Sequence, residues 1–103
     1  MKEYRKLIRD RIPEIIEDAG KEYETKIVKD EDYFDALKDK LDEEVEEYQE
    51  EEEVEELADI MEVLDALMEW HGINREELEE IRRKKKEERG GFEKGLFLLR
   101  AEE

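Results

Sequence analysis

Eight apolar residues recur at helical spacing between Val54 and Met68, and an acidic residue stands among them. Val54, Leu57, Ile60, Met61, Val63, Leu64, Leu67 and Met68 spread over about half the circumference of a helix turning ~100° per residue. A face that broad buries more than one neighbour, which an intrachain partner plus a subunit interface would satisfy. Glu56 falls inside this arc, between the directions of Val63 and Leu67, and Asp59 sits at its edge. A carboxylate turned into an apolar face is costly unless it is paired or binds a cation.

The segment just before it mirrors this arrangement. Over about 31–50, Phe34, Leu37, Leu41, Val45 and Tyr48 fall in one narrow helical stripe. Glu44 lies beside that stripe with Glu47 on the same flank, whereas Glu43 points away. Residues three apart share a helix face. Glu50 to Glu53 contains no Gly or Pro, but one helix from 31 to 71 would be unusually long for a small domain. The chain is therefore expected to reverse near Glu51-Glu52, bringing Glu47 level with Glu56 and Glu44 level with Asp59. Four carboxylates in two tiers repel one another unless a cation sits between them. Hard oxygen ligands select Mg²⁺, Mn²⁺ or Ca²⁺. The plainer reading is a solvated acidic face, since Glu is so frequent here that the spacing alone arises readily by chance.

The remaining segments predict two further helices. A short one spans about 11–19, with Pro13 in its first turn, Ile12, Ile15 and Ile16 on its apolar side, and Gly20 at its stop. Residues 21–29 read as loop, and Asp30 is placed to cap the helix after it. Gly72 ends the helix of about 54–71. Asn74, with Glu77 three residues on, signals a capping box for a helix over about 75–88. The apolar stretch Phe92 to Leu99 then packs as strand or coil. The expectation is one all-α domain over 1–103: an antiparallel bundle of about four helices, completed by oligomerisation.

Composition narrows the function. The net charge is -17 and 53% of the 103 residues are charged, which disfavours binding to nucleic acid or to an anionic membrane surface. So polar a chain invites a reading as disordered, but the regular apolar spacing argues against it. There is no Cys and no Ser, so nucleophiles of either kind are excluded. The opening Met1 to Lys6 has no apolar signal region, and the longest apolar run, Leu96 to Leu99, is far short of a membrane span. A soluble, cytoplasmic protein is expected. One Asn and one Gln against abundant Glu, Lys and Arg resemble a thermophile composition.

The basic residues have two readings each. Lys6, Arg9 and Arg11 either pair with the acidic bulk or contact phosphate, for which the arginine fork is suited. Lys86 and Arg89, beside Lys84, Lys85 and Lys94, either favour a helix C-terminus or bind phosphate. His71, Trp70, Tyr48 and Phe34 read as structural, with stacking on a base open to one of the aromatics.

The order Glu43-Glu44-Val45-Glu46-Glu47, then Glu56-Leu57-Ala58-Asp59, resembles the all-α nucleoside triphosphate pyrophosphohydrolase superfamily of MazG-like and phosphoribosyl-ATP pyrophosphohydrolase-like proteins. The opening Lys6-Leu7-Ile8-Arg9-Asp10-Arg11-Ile12-Pro13 and the stretch Lys84 to Phe92 are similar to its small house-cleaning branch, so the resemblance covers nearly the whole chain. The spacer between the acidic motifs is short for a MazG-like protein, so base contacts often placed there would be reduced or come from elsewhere. The resemblance implies Mg²⁺-dependent, or Mn²⁺-dependent, hydrolysis of a non-canonical nucleoside triphosphate to monophosphate and pyrophosphate. It implies Glu44, Glu47, Glu56 and Asp59 as metal ligands, one of them helping to orient or deprotonate water, in a homodimer or tetramer. Two alternatives stay open: a phosphoribosyl-ATP pyrophosphohydrolase of histidine synthesis, and a non-catalytic acidic helical module.

Overall fold

Four α-helices and no strand form the described residues 1–102 of the computed structural model. They are α1 (Ile12–Asp18), α2 (Asp30–Glu51), α3 (Val54–His71) and α4 (Arg75–Arg89). No helix among the described residues is long and apolar enough to cross a membrane.

The centre of the fold is a hairpin of α2 and α3. Its connection is only Glu52 and Glu53, and Glu52 makes the turn in the left-handed conformation, with φ 54° and ψ 32°. Its amide donates back to the Tyr48 carbonyl at 2.8 Å, closing the last turn of α2. This tight reversal lays the two helices against each other along their length. Leu37 and Val63 are buried at their junction, with Met68 completing a small core. At the far end from the turn, the Phe34 ring stacks on Trp70 with centroids 5.0 Å apart and planes 6° from parallel. His71 meets the same Phe34 ring edge-on at 5.9 Å. The two aromatic residues and the lone His therefore pin the start of α2 to the end of α3, a structural role.

Local signals set the other boundaries. Pro13 occupies the first turn of α1, where a missing N–H costs nothing. Gly72 ends α3 with φ 72°, and its amide and that of Ile73 close onto the carbonyls of Glu69 and Met68. Asn74 and Glu77 form the expected capping box: the Asn74 side chain accepts from the Glu77 amide at 2.9 Å, and the Glu77 carboxylate accepts from the Asn74 amide at 3.4 Å. Arg75 then grips Asp65 with two N–H groups, the shorter contact 2.6 Å, tying α4 to α3.

Two expectations are corrected. Asp30 does not cap α2: Lys29 is the N-cap residue, without a side-chain bond, and Asp30 itself takes a positive φ of 53°. Asp30, Glu31 and Asp32 instead place negative charge in the first turn, where the helix dipole favours it. The stretch Phe92 to Leu99 packs against nothing. It is irregular, and Phe92, Leu96, Phe97, Leu98 and Leu99 are 79–99% exposed.

The single chain is under-buried. α4 packs only on α3, and α1 comes to backbone packing distance of no other helix. The radius of gyration is 18.1 Å, against about 13 Å for a compact domain of this length. The accessible surface is 9990 Å², against about 6,200 Å² for a compact monomer of this mass.

Candidate metal centre

The α2–α3 hairpin gathers Glu44, Glu47, Glu56 and Asp59 into one cluster. One carboxylate oxygen from each lies within 4.8 Å of those of the other three. The geometry follows from two spacings. Residues three apart share a face on each helix, and the two-residue turn sets the facing pairs level. Glu43 is excluded from the cluster, as its direction on α2 predicts.

The cluster is partly sealed. Glu44 is only 7% exposed, the sole buried charged residue among those described, and its Oε2 has no hydrogen-bond partner. Glu56 Oε2 is likewise buried and unpartnered. Burial raises the Glu44 carboxyl above its ordinary pKa, with the nearby Glu47 and Asp59 charges adding to the rise; the Lys40 ammonium, 3.3 Å from Glu44 Oε1, opposes it. Glu56 is pushed up to about 7, first through a side-chain hydrogen bond with Glu51, then by burial, then by the charges of Glu51, Glu47 and Asp59. Two acids sharing a hydrogen bond retain a proton, because both cannot ionise at close range.

Such an arrangement fits a divalent cation. Mg²⁺ takes its oxygens at about 2.1 Å in an octahedron, so carboxylate oxygens already within 4.8 Å of one another need only a modest contraction to share an ion. The two orphaned buried oxygens are the groups that gain most, since neither has a protein donor to lose.

Cations of the chain itself stand at the rim. Arg9 Nη2 donates to Asp59 Oδ1 at 2.7 Å, and Arg9 Nη1 lies 4.0 Å from Glu62 Oε1. Lys6 donates to Glu43 Oε1 at 2.9 Å, which raises the Lys6 pKa, while Lys6 and Lys40 together hold Glu43 below its ordinary value against the effect of burial. The segment before α1 thus runs alongside the cluster. Arg11 is turned away, paired with Glu14 on α1 at 3.1 Å. Lys86 and Arg89 lie in the last turn of α4 and make no ion pair among the described residues.

Two participants escaped the sequence reading. Lys40 sits three residues before Glu43 and four before Glu44, the spacing at which helix charges meet, and that spacing was the available signal. Glu51, the last residue of α2, carried none. Its approach to Glu56 depends on the turn, which its neighbours do not encode.

No known family, curated protein or solved structure matches the chain.

Proposed function

We propose that this protein is a Mg²⁺-dependent nucleoside triphosphate pyrophosphohydrolase whose centre is Glu44, Glu47, Glu56 and Asp59. The observation that carries the reading is the convergence of these four carboxylates from two helices, with two buried oxygens left without partners. A repelling, partly desolvated acidic cluster is unfavourable as a purely structural feature, and it becomes favourable when it holds a cation.

A divalent ion at this centre supplies positive charge to phosphate oxygens and lowers the pKa of water. The chain's own residues then divide the work. Glu44, braced by Lys40, is held in place by its burial. Glu56, raised to about 7 without metal, gives up its proton when a cation binds, and one of the four carboxylates helps to orient or deprotonate water. Arg9 and Lys6, at the rim, are the cations nearest to hand for a triphosphate. Arg9 carries a fork suited to two phosphate oxygens. Arg11, Lys86 and Arg89 are not brought to this rim by any polar contact in the single chain. The substrate class, a non-canonical nucleotide, rests on the resemblance of the flanking motifs.

Self-association belongs to the same reading. The exposed apolar residues of α3 and the large accessible surface support a bundle completed by further copies.

The test is product analysis on a panel of canonical, deoxy and damaged nucleoside triphosphates, with Mg²⁺ and with chelator. Monophosphate and pyrophosphate, released only with metal, are expected. Diphosphate and phosphate, or no release at all, would contradict the proposal. Phosphoribosyl-ATP in competition separates the house-cleaning role from histidine synthesis.

A further inference from the structure

We propose that the segment Gly91–Leu99 is an exchanged arm, which docks on the α3 stripe Val54–Leu57–Met61 of a second copy of this chain. Phe92, Leu96, Phe97, Leu98 and Leu99 are 79–99% exposed, so the segment carries the largest unburied apolar surface of the chain. Its one internal backbone bond outside the helices, Gly95 to Phe92, shapes a bend and buries nothing. Monomeric proteins rarely leave such a contiguous apolar patch bare.

A matching bare stripe lies on α3. Val54, Leu57 and Met61 fall on one helical row and are 76%, 45% and 43% exposed. The same row continues to Met68, which is buried. The row is thus covered near the α4 junction and open near the α2–α3 turn.

Charge is compatible with a second copy as the occupant. The arm Gly91–Leu99 carries Lys94 against Glu93, a net charge of zero in a chain whose total is -17, and Arg89 and Arg100 flank it. An uncharged, apolar arm between two arginines can lie on an apolar stripe even where the surface around it is acidic. The acidic body attached to it repels anionic lipid and nucleic acid. The stripe on α3 adjoins Glu50, Glu51, Glu52, Glu53 and Glu55, so another copy of this chain offers what the arm requires. The area agrees. Large apolar side chains bury on the order of 150 Å² each, so the five on one arm approach the ~800 Å² that each partner contributes to a standard interface. A reciprocal exchange doubles this and draws down the surface excess of the single chain.

The chain has no Cys, so cross-linking reports the contact directly. The Leu57→Cys and Leu98→Cys proteins, mixed and oxidised, should yield a covalent dimer several-fold above either alone. Adding Phe97→Asp to the Leu98→Cys chain should abolish it. Wild type should show twice the 12.5 kDa chain mass by light scattering. The variant Phe97→Asp/Leu98→Asp should fall towards a single mass with unchanged helical circular dichroism, because these side chains touch nothing within one copy. A monomeric wild type, a mixture of the two cysteine proteins that yields no more covalent dimer than either alone, or an Asp variant of undiminished mass would each overturn the proposal. None of these readouts involves catalysis, so failure here leaves the metal-centre reading standing, and the reverse.

Discussion

Arg9 Nη2 and Asp59 Oδ1 meet at 2.7 Å across fifty residues of sequence, and they fasten the segment before α1 to the rim of the carboxylate cluster. Both side chains remain substantially exposed, so the pair contributes little to stability, about 0.2–1 kcal/mol. Its use is positional. Arg9→Ala should therefore leave the urea midpoint nearly unchanged while lowering pyrophosphate release at least tenfold. A large loss of stability with normal turnover would assign Arg9 a structural role instead.

The cluster itself should report the cation. Ligand at a hundred times its Kd stabilises the folded state by about 2.7 kcal/mol, and each kcal/mol moves Tm by about 4–8 °C in a domain of this size. Saturating Mg²⁺ should thus raise the wild-type Tm by roughly 10 °C or more. Glu56→Gln should be more stable than wild type without metal, since it removes repulsion, and should respond far less to Mg²⁺. Thermal melts with Mg²⁺ and with chelator decide the matter.

Glu56 also fixes a pH dependence. Its folded pKa, about 7, lies above the ordinary 4.5. The stability this group contributes is therefore complete below pH 4.5 and is lost as pH rises through about 7. Metal-free wild type should unfold at lower urea on the alkaline side of that window than on the acid side, and Glu56→Gln should flatten this difference. Mg²⁺ must displace the proton, so its affinity should rise about tenfold per pH unit below 7 and level off above it. Calorimetric titration across this range measures the slope, and a pH-independent affinity would contradict it.

Lys40 is the counter-ion of a nearly buried carboxylate. Lys40→Met should destabilise the metal-free protein by about 1–3 kcal/mol, the cost of leaving a buried polar group unpaired. Mg²⁺ should restore part of that loss. Equal destabilisation with and without metal would separate Lys40 from the cluster.

The turn between α2 and α3 carries local strain. Glu52 holds φ 54°, in the left-handed region, which costs a side chain with a Cβ roughly 1–2 kcal/mol. Glu52→Gly should stabilise the fold by up to about that amount, measured as a shift of the urea midpoint. A neutral or harmful substitution would show that the position gains more from its carboxylate than it loses in the backbone.

That turn also marks where the sequence stops being legible. Helix periodicity located α2 and α3 to within a residue, because the apolar stripes are regular and both α3 and α4 end or begin on residues with a single conformational purpose, Gly72 and Asn74. The reversal at Glu52 uses no Gly, Asn or Pro, so it was inferred from length alone. The clustering of Glu44, Glu47, Glu56 and Asp59 followed once the reversal was assumed, since period and level are geometric. Asp30 misled because an Asp before an apolar run signals a cap, whereas here Lys29 takes that place. The rim contacts of Lys6 and Arg9 are long-range, and no local pattern specifies them. The apolar stretch after α4 reads as a packed strand or coil, yet within one copy its large side chains stay exposed, because no local pattern specifies which surface covers it.

The measurement that bears most directly on the central claim is pyrophosphate release from the nucleotide panel by wild type and Glu56→Gln, each with Mg²⁺ and with chelator. Wild type should release pyrophosphate only with metal, and Glu56→Gln should release none above background. Undiminished release by Glu56→Gln, or silence from wild type on every nucleotide with either Mg²⁺ or Mn²⁺, would contradict the assignment of this carboxylate cluster as a catalytic metal centre.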